Sequence, residues 1–412
     1  MSALILGGGI SGLSAAWWLH RLNPACKITL LEKTDRLGGL IQTKKQNGFL
    51  YELGPRTFQR QRAPYLLALI RDLGLENELI FSDPKAAKRY LWHRGHLRTA
   101  TSFLPMLLPR LICEPFIPKG TCEDESIYEF SARRFSPKIA ETLFDPLALG
   151  IYAGDIRKLS IRSCFSKLFQ WEREKGSVVR GMFSTKKTTD QKGLFTLRCG
   201  FESLIEAMQK KIDLRIVFNC EVEQISDGEI LAGRQKWRAD HIFSALPAPA
   251  IGRLTGEEFA MNSLSVVNLA FQGNVLPKKG FGYLAPTQEK ESLLGMIFDS
   301  SIFPEHCGSA TRLTAMIRKE EPRPLEAALE AAKRHLGIDG APLDASVFFA
   351  KDAIPLFEVG YWQKIAHFEA RLQKAFPHLH LLGNYFENVS VEGCIERAFR
   401  VIHKSYCSKF SL

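Results

Sequence analysis

Residues 2–39 determine the fold class of this chain and read SALILGGGISGLSAAWWLHRLNPACKITLLEKTDRLGG. A short apolar run at Ala3–Leu6 predicts a β-strand, the spacing of apolar residues over Ile10–Leu22 predicts a helix, and Lys27–Leu31 predicts a second strand. A strand, a helix and a strand in this order form one unit of a parallel sheet with a crossover helix. The chain is therefore predicted to begin with an open, doubly wound α/β domain.

The glycines between the first strand and the helix point to a ligand. Gly7, Gly9 and Gly12 have the spacing G-x-G-x-x-G, and Glu32 ends the next strand. In this pattern the glycines allow pyrophosphate to approach the backbone, and the acidic residue accepts hydrogen bonds from a ribose. A glycine turn with a chance acid is the alternative, but strand, helix and acid are all correctly placed for a dinucleotide. The predicted contact residues are Gly7, Gly8, Gly9, Ile10, Ser11, Gly12, Glu32 and Lys33.

The segment Lys33–Gly39 distinguishes between cofactors. Arg36 offers a fixed cation to a phosphate, and Gly38 and Gly39 allow a close backbone approach, although a solvated arginine before a glycine turn is the alternative. The segment resembles the D-R-x-G-G continuation of flavoproteins with two dinucleotide-binding domains, in which it closes over the FAD pyrophosphate. The resemblance implies non-covalently held FAD rather than a nicotinamide cofactor.

Longer motifs are similar to those of one flavoprotein family, the protoporphyrinogen oxidases of the monoamine-oxidase-like superfamily. They begin with the E-x-G-P pattern in Tyr51–Thr57 and continue in the family's order to about Ile395. The other matching segments are Glu114–Pro118, Asp124–Ser126, Arg133–Phe135, Asp145–Pro146, Gly150–Asp155, Cys199–Leu204, Ala353–Pro355, Gly360–Lys364, Gly383–Tyr385, Val389–Val391 and Cys394–Ile395. Two departures are Asn388, where the family usually has glycine, and Leu356–Phe357, which replaces a more polar pair.

The resemblance implies the remaining site residues. Arg89 stands where the family has an arginine that pairs with a substrate propionate, and a surface arginine is the alternative. The alternatives to a flavin contact are a structural ion pair for Arg56, a core aromatic for Trp362 and an ordinary sheet residue for Val222. No catalytic side chain and no metal ligand is predicted, because the flavin would perform the redox step. The further implied FAD contacts are Arg36, Gly38, Gly39, Leu40, Gly54, Pro55, Arg56, Thr57, Val222, Trp362, Gly383, Asn384, Val389, Ser390 and Val391.

The implied activity is the six-electron oxidation of protoporphyrinogen IX to protoporphyrin IX in heme biosynthesis, by three hydride transfers to the flavin. Dioxygen would be the acceptor and give hydrogen peroxide, with a quinone as the alternative. The nearest alternative substrate is coproporphyrinogen III. The residues also leave open a carotenoid desaturase, an amine oxidase and a flavin- or porphyrin-binding protein without turnover. The sequence identifies no base that would accept the pyrrole N–H protons. It also leaves the oligomeric state open, with a homodimer as one possibility.

Later segments predict a second sheet. Strands are predicted at Ser265–Gln272, Gly295–Asp299 and Arg312–Ile317 and indicate an antiparallel arrangement, and residues 184–192 predict an exposed polar loop. The predicted α/β fold has a discontinuous Rossmann-like FAD-binding domain, a helical substrate-binding and membrane-facing insertion, and an antiparallel-sheet substrate domain. The predicted bounds are 1–84, 195–250 and 351–412 for the FAD-binding domain, 85–194 for the insertion and 251–350 for the sheet domain.

Composition excludes several classes of function. The 412 residues are 45% hydrophobic and 24% charged, which is typical of a globular protein. A net charge of +11 favours anionic ligands or surfaces, but the chain has no zinc-finger spacing, no RNP-like strand and no long basic block, so nucleic acid is not a predicted partner. Nine scattered cysteines without Cys-x-x-Cys argue against a disulfide framework and a zinc site.

One apolar stretch, Thr101–Ile117, predicts contact with a membrane surface. It is too short and too interrupted by proline to span a bilayer, but it could lie at the interface of an anionic membrane, with a place in the protein interior as the alternative. The residues predicted at the acyl boundary are Leu104, Met106, Leu107, Leu108 and Phe116, with Arg98 and Arg110 near lipid phosphates. No signal-peptide pattern precedes the first strand, which predicts a cytoplasmic protein that is peripheral on the cytoplasmic membrane.

Overall fold

The computed structural model describes residues 1–184, 193–226, 228–386 and 389–407, and Asn388 and residues 185–192 of the predicted loop lie outside these ranges. Within the described residues, five strands form a parallel sheet whose order departs from chain order. From one edge to the other the strands are Arg215–Val217, Lys27–Leu31, Ser2–Leu6, His241–Ser244 and Leu379–Leu381. The first strand lies in the middle because later strands are added on both of its sides, Lys27–Leu31 and Arg215–Val217 on one and His241–Ser244 and Leu379–Leu381 on the other.

Successive residues of the first strand are buried on opposite faces of the parallel sheet. Ala3 and Ile5 pack into one hydrophobic cluster, whereas Leu4 and Leu6 pack into another. The first cluster is completed by the helices Ile10–Leu22, Pro64–Asp72, Glu202–Lys211 and Val391–Cys407. The second is completed by the helices Ala248–Thr255 and Tyr361–Ala375 and by the antiparallel strands Val222–Ser226, Glu229–Ala232 and Gln235–Trp237. This is the doubly covered arrangement that a parallel sheet requires.

A second sheet of the described chain contains seven strands, and one pairing in it is parallel. In spatial order they are Asp344–Pro355, Met261–Phe271, Thr311–Arg318, Leu293–Ile297, Gly282–Leu284, Arg89–His93 and His96–Thr99. The exception to antiparallel pairing joins Gly282–Leu284 to Arg89–His93. Helix Pro324–Leu336 covers one face with a hydrophobic cluster. The predicted mixed α/β fold with a second, largely antiparallel sheet is confirmed.

Helices dominate the chain from the end of strand His96–Thr99 to residue 184. They are Leu104–Cys113, Ile127–Arg134, Pro137–Ile139, Ala140–Phe144 (a π-helix), Asp145–Tyr152, Ile161–Cys164, Ser166–Lys175 and Val178–Ser184. A capping box starts Ile127–Arg134, because the Ser126 hydroxyl accepts from the Glu129 amide and the Glu129 carboxylate accepts from Ser126. Pro137 lies in the first turn after the Ser136 cap, where a missing amide costs nothing, whereas Pro146 follows the π-helical turn Ala140–Phe144.

Short elements connect these units. The strand pairs are Thr43–Gln46 with Phe49–Glu52, and Leu194–Leu197 with both Phe58–Gln59 and Leu79–Phe81. The remaining short helices are Arg60–Arg62, Glu76–Glu78, Pro84–Ala87, Ala100–Phe103, Glu114–Phe116, Thr287–Glu289, Asp299–Ile302 and Pro304–His306. The sequence Arg89–Trp92 is itself typical of a strand, and hydrogen bonds place Arg89–His93 and the unpredicted strand His96–Thr99 in the second sheet, although both lie within the bounds 85–194 predicted for the helical insertion. The domain bounds stay a prediction. None of the described helices combines the length and apolar character needed to traverse a bilayer.

Candidate active site

The glycine turn at the end of the central strand has no room for side chains at its narrowest point. A Cβ atom on Gly12 would lie 2.0 Å from the Gly7 carbonyl oxygen, so the helix can pack against the strand only with glycine there. Helix Ile10–Leu22 begins after Gly9 with no side-chain cap from the described chain and no acidic residue in its first turn. Its first amides therefore remain available to an anion, and Ile10 and Ser11 lie at this positive end.

Glu32 lies directly against this turn. Its Oε2 accepts from the Gly8 amide at 2.7 Å, and its Oε1 accepts from the amide and the hydroxyl of Thr34, each at 2.9 Å. The carboxylate is thus fixed at the edge of the glycine turn, which is what its predicted role with a ribose requires. Lys33 points elsewhere, because its Nζ is 2.8 Å from Glu221 on the surface.

The Gly38–Gly39 turn lies beside the first glycine turn. The Gly38 amide donates to the Gly8 carbonyl at 2.9 Å, so the two glycine-rich segments form one cradle. Arg36 holds this loop, since it donates to the carbonyls of Gly39 and Ile41 at 2.9 and 2.7 Å and to Glu202 at 3.2 Å. The structure therefore gives Arg36 a role in shaping the cradle, and its predicted phosphate contact stays a prediction.

The E-x-G-P segment crosses this cradle at close range. A Cβ atom on Gly54 would lie 1.9 Å from the Leu40 carbonyl oxygen, so Leu40 and Gly54 approach backbone to backbone. Pro55, Arg56 and Thr57 follow, and Arg56 enters the interior beneath the second sheet. Its guanidinium donates to the Glu52 carbonyl at 2.9 Å and to the Thr314 hydroxyl, and it lies 3.8 Å from Asp299. The structural ion pair left open for Arg56 is therefore present.

Charged side chains surround a small cavity beside Arg56. The cavity is about 20 Å³, enough for one water molecule, and is lined by Leu50, Glu52, Arg56, Thr57, Thr196, Asp299, Phe303, His306 and Arg312. Burial raises the pKa of Glu52 to about 7, although hydrogen bonds from Phe201 and Thr43 and the charges of Arg56 and Arg312 oppose the rise. Burial also lowers the pKa of Arg56, which Asp299 opposes. The sequence analysis did not identify Glu52 or Asp299 as site residues. Glu52 lies in the E-x-G-P motif, but the motif does not show that its side chain is buried, and nothing in the sequence pairs Asp299 with Arg56.

The last predicted segment closes the cradle from the other end of the chain. Asn384 Nδ2 donates to the Ala353 carbonyl at 3.2 Å, and Ser390 Oγ accepts from the Gly393 amide at 3.0 Å as the final helix begins. Ser11 hydrogen-bonds to Cys394, so the first and last helices meet at the glycine turn. Val391 begins the last helix and packs into the same hydrophobic cluster as the first, whereas the FAD contacts of Gly383, Val389 and Val391 stay a prediction.

Val222 and Trp362 have different surroundings. Val222 is buried, and just before it the Cys220 amide donates to the Glu32 carbonyl at 2.9 Å, which places this strand beside the predicted ribose position. Trp362 lies under Arg162, whose guanidinium carbon is 3.5 Å from its ring centroid, and lines an open cavity of about 730 Å³ between the helical region and helix Tyr361–Ala375. The structure does not place Trp362 in the glycine cradle, and its flavin contact stays a prediction.

One face of the second sheet joins Arg89 to the surroundings of Arg56. Consecutive pairings run from Arg89 to Gly282, Ile297, Thr314 and Asn268, and residues directly opposite one another lie on the same face. Thr314 and Asn268 are hydrogen-bond partners of Arg56. Three strand spacings separate Arg89 from Thr314, which is about 14 Å.

We call such a series of directly paired residues across the strands a row. The neighbouring row on the same face, two residues further along each strand, is apolar. It runs through Leu91, Leu284, Gly295, Met316 and Val266. Helix Asp145–Tyr152 packs over its Leu284 end, where a Cβ atom on Gly150 would meet Leu284 at 2.7 Å. This face of the sheet therefore combines an apolar row, covered at its Leu284 end by helix Asp145–Tyr152, with a cation at one end and the Arg56 cluster further along.

The residues of the cradle fit a flavin dinucleotide. Two glycine turns leave backbone space, an uncapped helix start offers amides to the pyrophosphate, and Glu32 is fixed at the edge. A model for flavin-containing amine oxidoreductases matches residues 10–401. The chain belongs to this family. It is an FAD-dependent oxidoreductase, as predicted.

Individual relatives cover nearly the whole chain. Human protoporphyrinogen oxidase is 33% identical over 96% of each chain, and coproporphyrinogen III oxidase of Bacillus subtilis is 27% identical over 99% of this chain and 98% of the relative. The crystal structure of a candidate protoporphyrinogen oxidase from Exiguobacterium sp. 255-15 superposes with a TM-score of 0.85 at 23% identity and covers 99% of both chains. This last likeness supports the fold, whereas the sequence relatives confirm the family resemblance.

Proposed function

We propose that this flavoprotein oxidises protoporphyrinogen IX to protoporphyrin IX in heme biosynthesis. The substrate loses six electrons and six hydrogens in three two-electron steps, and three dioxygen molecules become three molecules of hydrogen peroxide. Bound FAD supplies the two-electron acceptor in each step. The names of the human and bacterial relatives support a porphyrinogen substrate.

The observation that carries the proposal is the two-row face of the second sheet. The apolar row of Leu91, Leu284, Met316 and Val266 can contact a ring, while Arg89 stands about 14 Å from Thr314 in the neighbouring row. Arg89 can pair with a carboxylate arm at that distance from the Arg56 cluster. A small amine substrate would use neither the length of the face nor the arginine.

Coproporphyrinogen III is the second candidate substrate, since the Bacillus subtilis relative carries that name. The same sheet face suits it, because it also presents an apolar ring with carboxylate arms. Fluorescence growth of the purified holoenzyme with protoporphyrinogen IX and with coproporphyrinogen III, in air and in nitrogen with an added quinone, separates the two substrates and the two acceptors. We expect faster growth with protoporphyrinogen IX in air and three peroxides for each porphyrin formed.

Each other outcome of that experiment would contradict part of the proposal. Faster turnover of coproporphyrinogen III would reassign the substrate. Growth only with the quinone would reassign the acceptor. If neither porphyrinogen is oxidised above the rate without enzyme, the protein is not a porphyrinogen oxidase.

We also propose that the protein binds peripherally to an anionic membrane through the helical region, on the cytoplasmic side. Leu108 and Ile112 expose 51% and 71% of their surface and lie on one side of helix Leu104–Cys113, and Phe116, in the short helix that follows, exposes 81%. Phe183, exposed to 80%, ends a helix that packs beside Glu114–Phe116. Arg98 and Arg110 are also exposed, so both are available to lipid phosphates. Such a surface can insert shallowly into the interface and admit an apolar substrate from the lipid side.

Two residues of the predicted membrane contact face the other way. Met106 and Leu107 are partly buried against the core, so the prediction that they enter the acyl boundary is wrong. The reason is the helical period, since positions 104, 108 and 112 share one face while 106 and 107 face the protein. Ile112, which the prediction omitted, belongs to the exposed face instead.

A further inference from the structure

Two arginines at the Arg89 end of the sheet face, Arg62 and Arg89 itself, have no carboxylate partner within the described residues. Arg62 ends the short helix Arg60–Arg62, and Arg89 begins its strand. Both are exposed, and Arg89 places its guanidinium carbon 4.7 Å from the centre of the Phe281 ring. Arginines elsewhere on this surface, such as Arg157 and Arg198, are paired with glutamates.

The small three-stranded sheet brings these two arginines to the same region. Leu194–Leu197 pairs with both Phe58–Gln59 and Leu79–Phe81, so the short helix that follows residue 59 lies beside residue 81. Arg60 confirms this proximity, because its guanidinium carbon lies 4.8 Å from the Phe81 ring centre. Only the short helix Pro84–Ala87 and its flanking residues separate Phe81 from Arg89 in the chain.

The charges of the two arginines act on each other. Arg89 is exposed as a residue, but its guanidinium is partly desolvated, which lowers its pKa, and the neighbouring charge of Arg62 lowers it further, while no acidic group opposes the shift. Two cations held together without an anion repel each other, and a ligand with two carboxylates would relieve that repulsion. A ligand with two acid arms can give each guanidinium its own pair of hydrogen bonds, whereas one carboxylate would have to be shared, as Glu172 is between Arg133 and Arg134.

We propose that Arg62 is a second carboxylate anchor, which acts with Arg89 to bind two acid arms on one edge of the substrate. This inference rests on the proposed porphyrinogen-oxidising function and adds a specificity-determining residue to it. Arg89 lies in the row that leads to Thr314, and Arg62 approaches from outside the sheet. The ring would lie along the apolar row while both arms point to the rim. Substrates with two neighbouring acid arms would then bind more tightly than those with one.

The test measures binding rather than turnover. Protoporphyrin IX, its monomethyl ester and its dimethyl ester are titrated against the holoenzyme, and quenching of protein fluorescence reports the dissociation constant. The variants are Arg62→Gln, Arg89→Gln and their combination, with Arg60→Gln as the matched control from the same short helix. We expect each single change at 62 or 89 to weaken binding of the diacid about tenfold or more and to leave dimethyl ester binding unchanged.

The monoester and the control decide between an anchor and a general charge effect. Loss of either anchor should weaken the monoester less than the diacid, and Arg60→Gln should leave all three constants within about twofold of the wild type. Unchanged diacid binding in Arg62→Gln would overturn the proposal, whether or not Arg89→Gln weakens that binding. So would a loss in Arg60→Gln equal to that in Arg62→Gln. If the wild type binds none of the three porphyrins, the proposed function itself fails, which is a different result.

Discussion

The carboxylate of Glu114 and the guanidinium of Arg134 form an ion pair in which both side chains are completely buried. Arg134 Nε donates to Glu114 Oε1 at 2.6 Å, and the Val178 amide donates to the same oxygen at 2.9 Å. Arg134 also donates to the Ile117 carbonyl at 2.8 Å. The pair thus holds the turn that presents Phe116 to the outside, which gives a physical reason for the E-P-F-I-P and R-R-F segments to occur together.

Removing one member of this pair should destabilise the protein strongly. Arg134→Met leaves the Glu114 carboxylate buried without its cation, and we expect a loss of about 3–5 kcal/mol in the free energy of unfolding. The double variant Glu114→Gln/Arg134→Met should recover part of this loss, because no unpaired charge remains. Arg157→Met, which removes a surface pair with Glu141, should cost less than about 1 kcal/mol. Urea unfolding followed by flavin fluorescence measures all three, and a cost for Arg134→Met no greater than that for Arg157→Met would contradict the assignment.

Glu52 should make stability depend on pH near neutrality. Burial raises its pKa in the folded protein to about 7, whereas the unfolded chain has an ordinary value near 4.5. The folded state therefore favours the protonated acid, and stability from this group is fully present below pH 4.5 and is lost as the pH rises towards and through 7. The loss amounts to about 3 kcal/mol.

Glu52→Gln is the variant that tests this assignment, since an amide can still accept from the Phe201 amide without carrying a charge. Melting temperatures of wild type and variant between pH 5 and 8 should diverge, with the variant relatively more stable at pH 8. Glu202→Gln is a control, because the partly exposed Glu202 lies close by and pairs with Arg36. Parallel pH profiles for wild type and Glu52→Gln would show that Glu52 does not titrate in this range.

Two glycines of the cradle should respond differently to the same substitution. A Cβ atom on Gly9 would meet only Gly39 Cα at 3.9 Å, so Gly9→Ala should fold, but the methyl group would occupy the space that pyrophosphate needs. Gly12→Ala places its methyl 2.0 Å from the Gly7 carbonyl oxygen and should disturb the strand and helix themselves. We expect Gly9→Ala to bind FAD at least tenfold more weakly with unchanged circular dichroism, and Gly12→Ala to lose stability as well. FAD released by acid from the wild type supplies the measure of bound cofactor, and retention of flavin in the acid pellet would contradict non-covalent binding.

The parts of the fold that could be predicted from sequence are those in which one local rule acts. The glycine spacing, the acidic residue at the end of the second strand and the apolar period of Ile10–Leu22 act within a few residues of one another, and they located the first strand, helix and strand correctly. The predicted strands Ser265–Gln272, Gly295–Asp299 and Arg312–Ile317 were likewise found, whereas His96–Thr99, Gly282–Leu284 and the edge strand Asp344–Pro355 were missed. Strand order depends on contacts between distant segments, which periodicity does not encode.

The candidate site shows the same division. Arg56 was identified from the motif around it, but its partners Thr314 and Asp299 are more than two hundred residues away in the chain. Arg36 was interpreted as a free cation because its acceptors are mainly backbone carbonyls, which have no sequence signature. Arg62 lies in no motif at all, and only the pairing of Leu194–Leu197 with two other strands brings it near Arg89.

The exposed apolar face of the helical region gives the last prediction. Leu108 and Ile112 lie on the outward side of helix Leu104–Cys113 and contribute little to the core, so Leu108→Asp/Ile112→Asp should fold and remain yellow. The wild type should float with liposomes that contain anionic lipid and less with neutral ones, because Arg98 and Arg110 would lie near the phosphates. The double variant should lose this flotation by about tenfold or more.

A control variant at two exposed apolar residues elsewhere distinguishes a specific docking face from nonspecific hydrophobic adsorption. Leu343 and Phe349 are exposed to 54% and 52% in the second sheet region, so Leu343→Asp/Phe349→Asp removes similar apolar surface at a distant place. This control should float like the wild type. If it loses flotation as much as Leu108→Asp/Ile112→Asp does, or if the wild type binds neither kind of liposome, the membrane proposal is wrong. If Leu108→Asp/Ile112→Asp unfolds or loses its flavin, the helix belongs to the core and the docking face is equally refuted, because an interfacial helix must tolerate polar residues on its outer side.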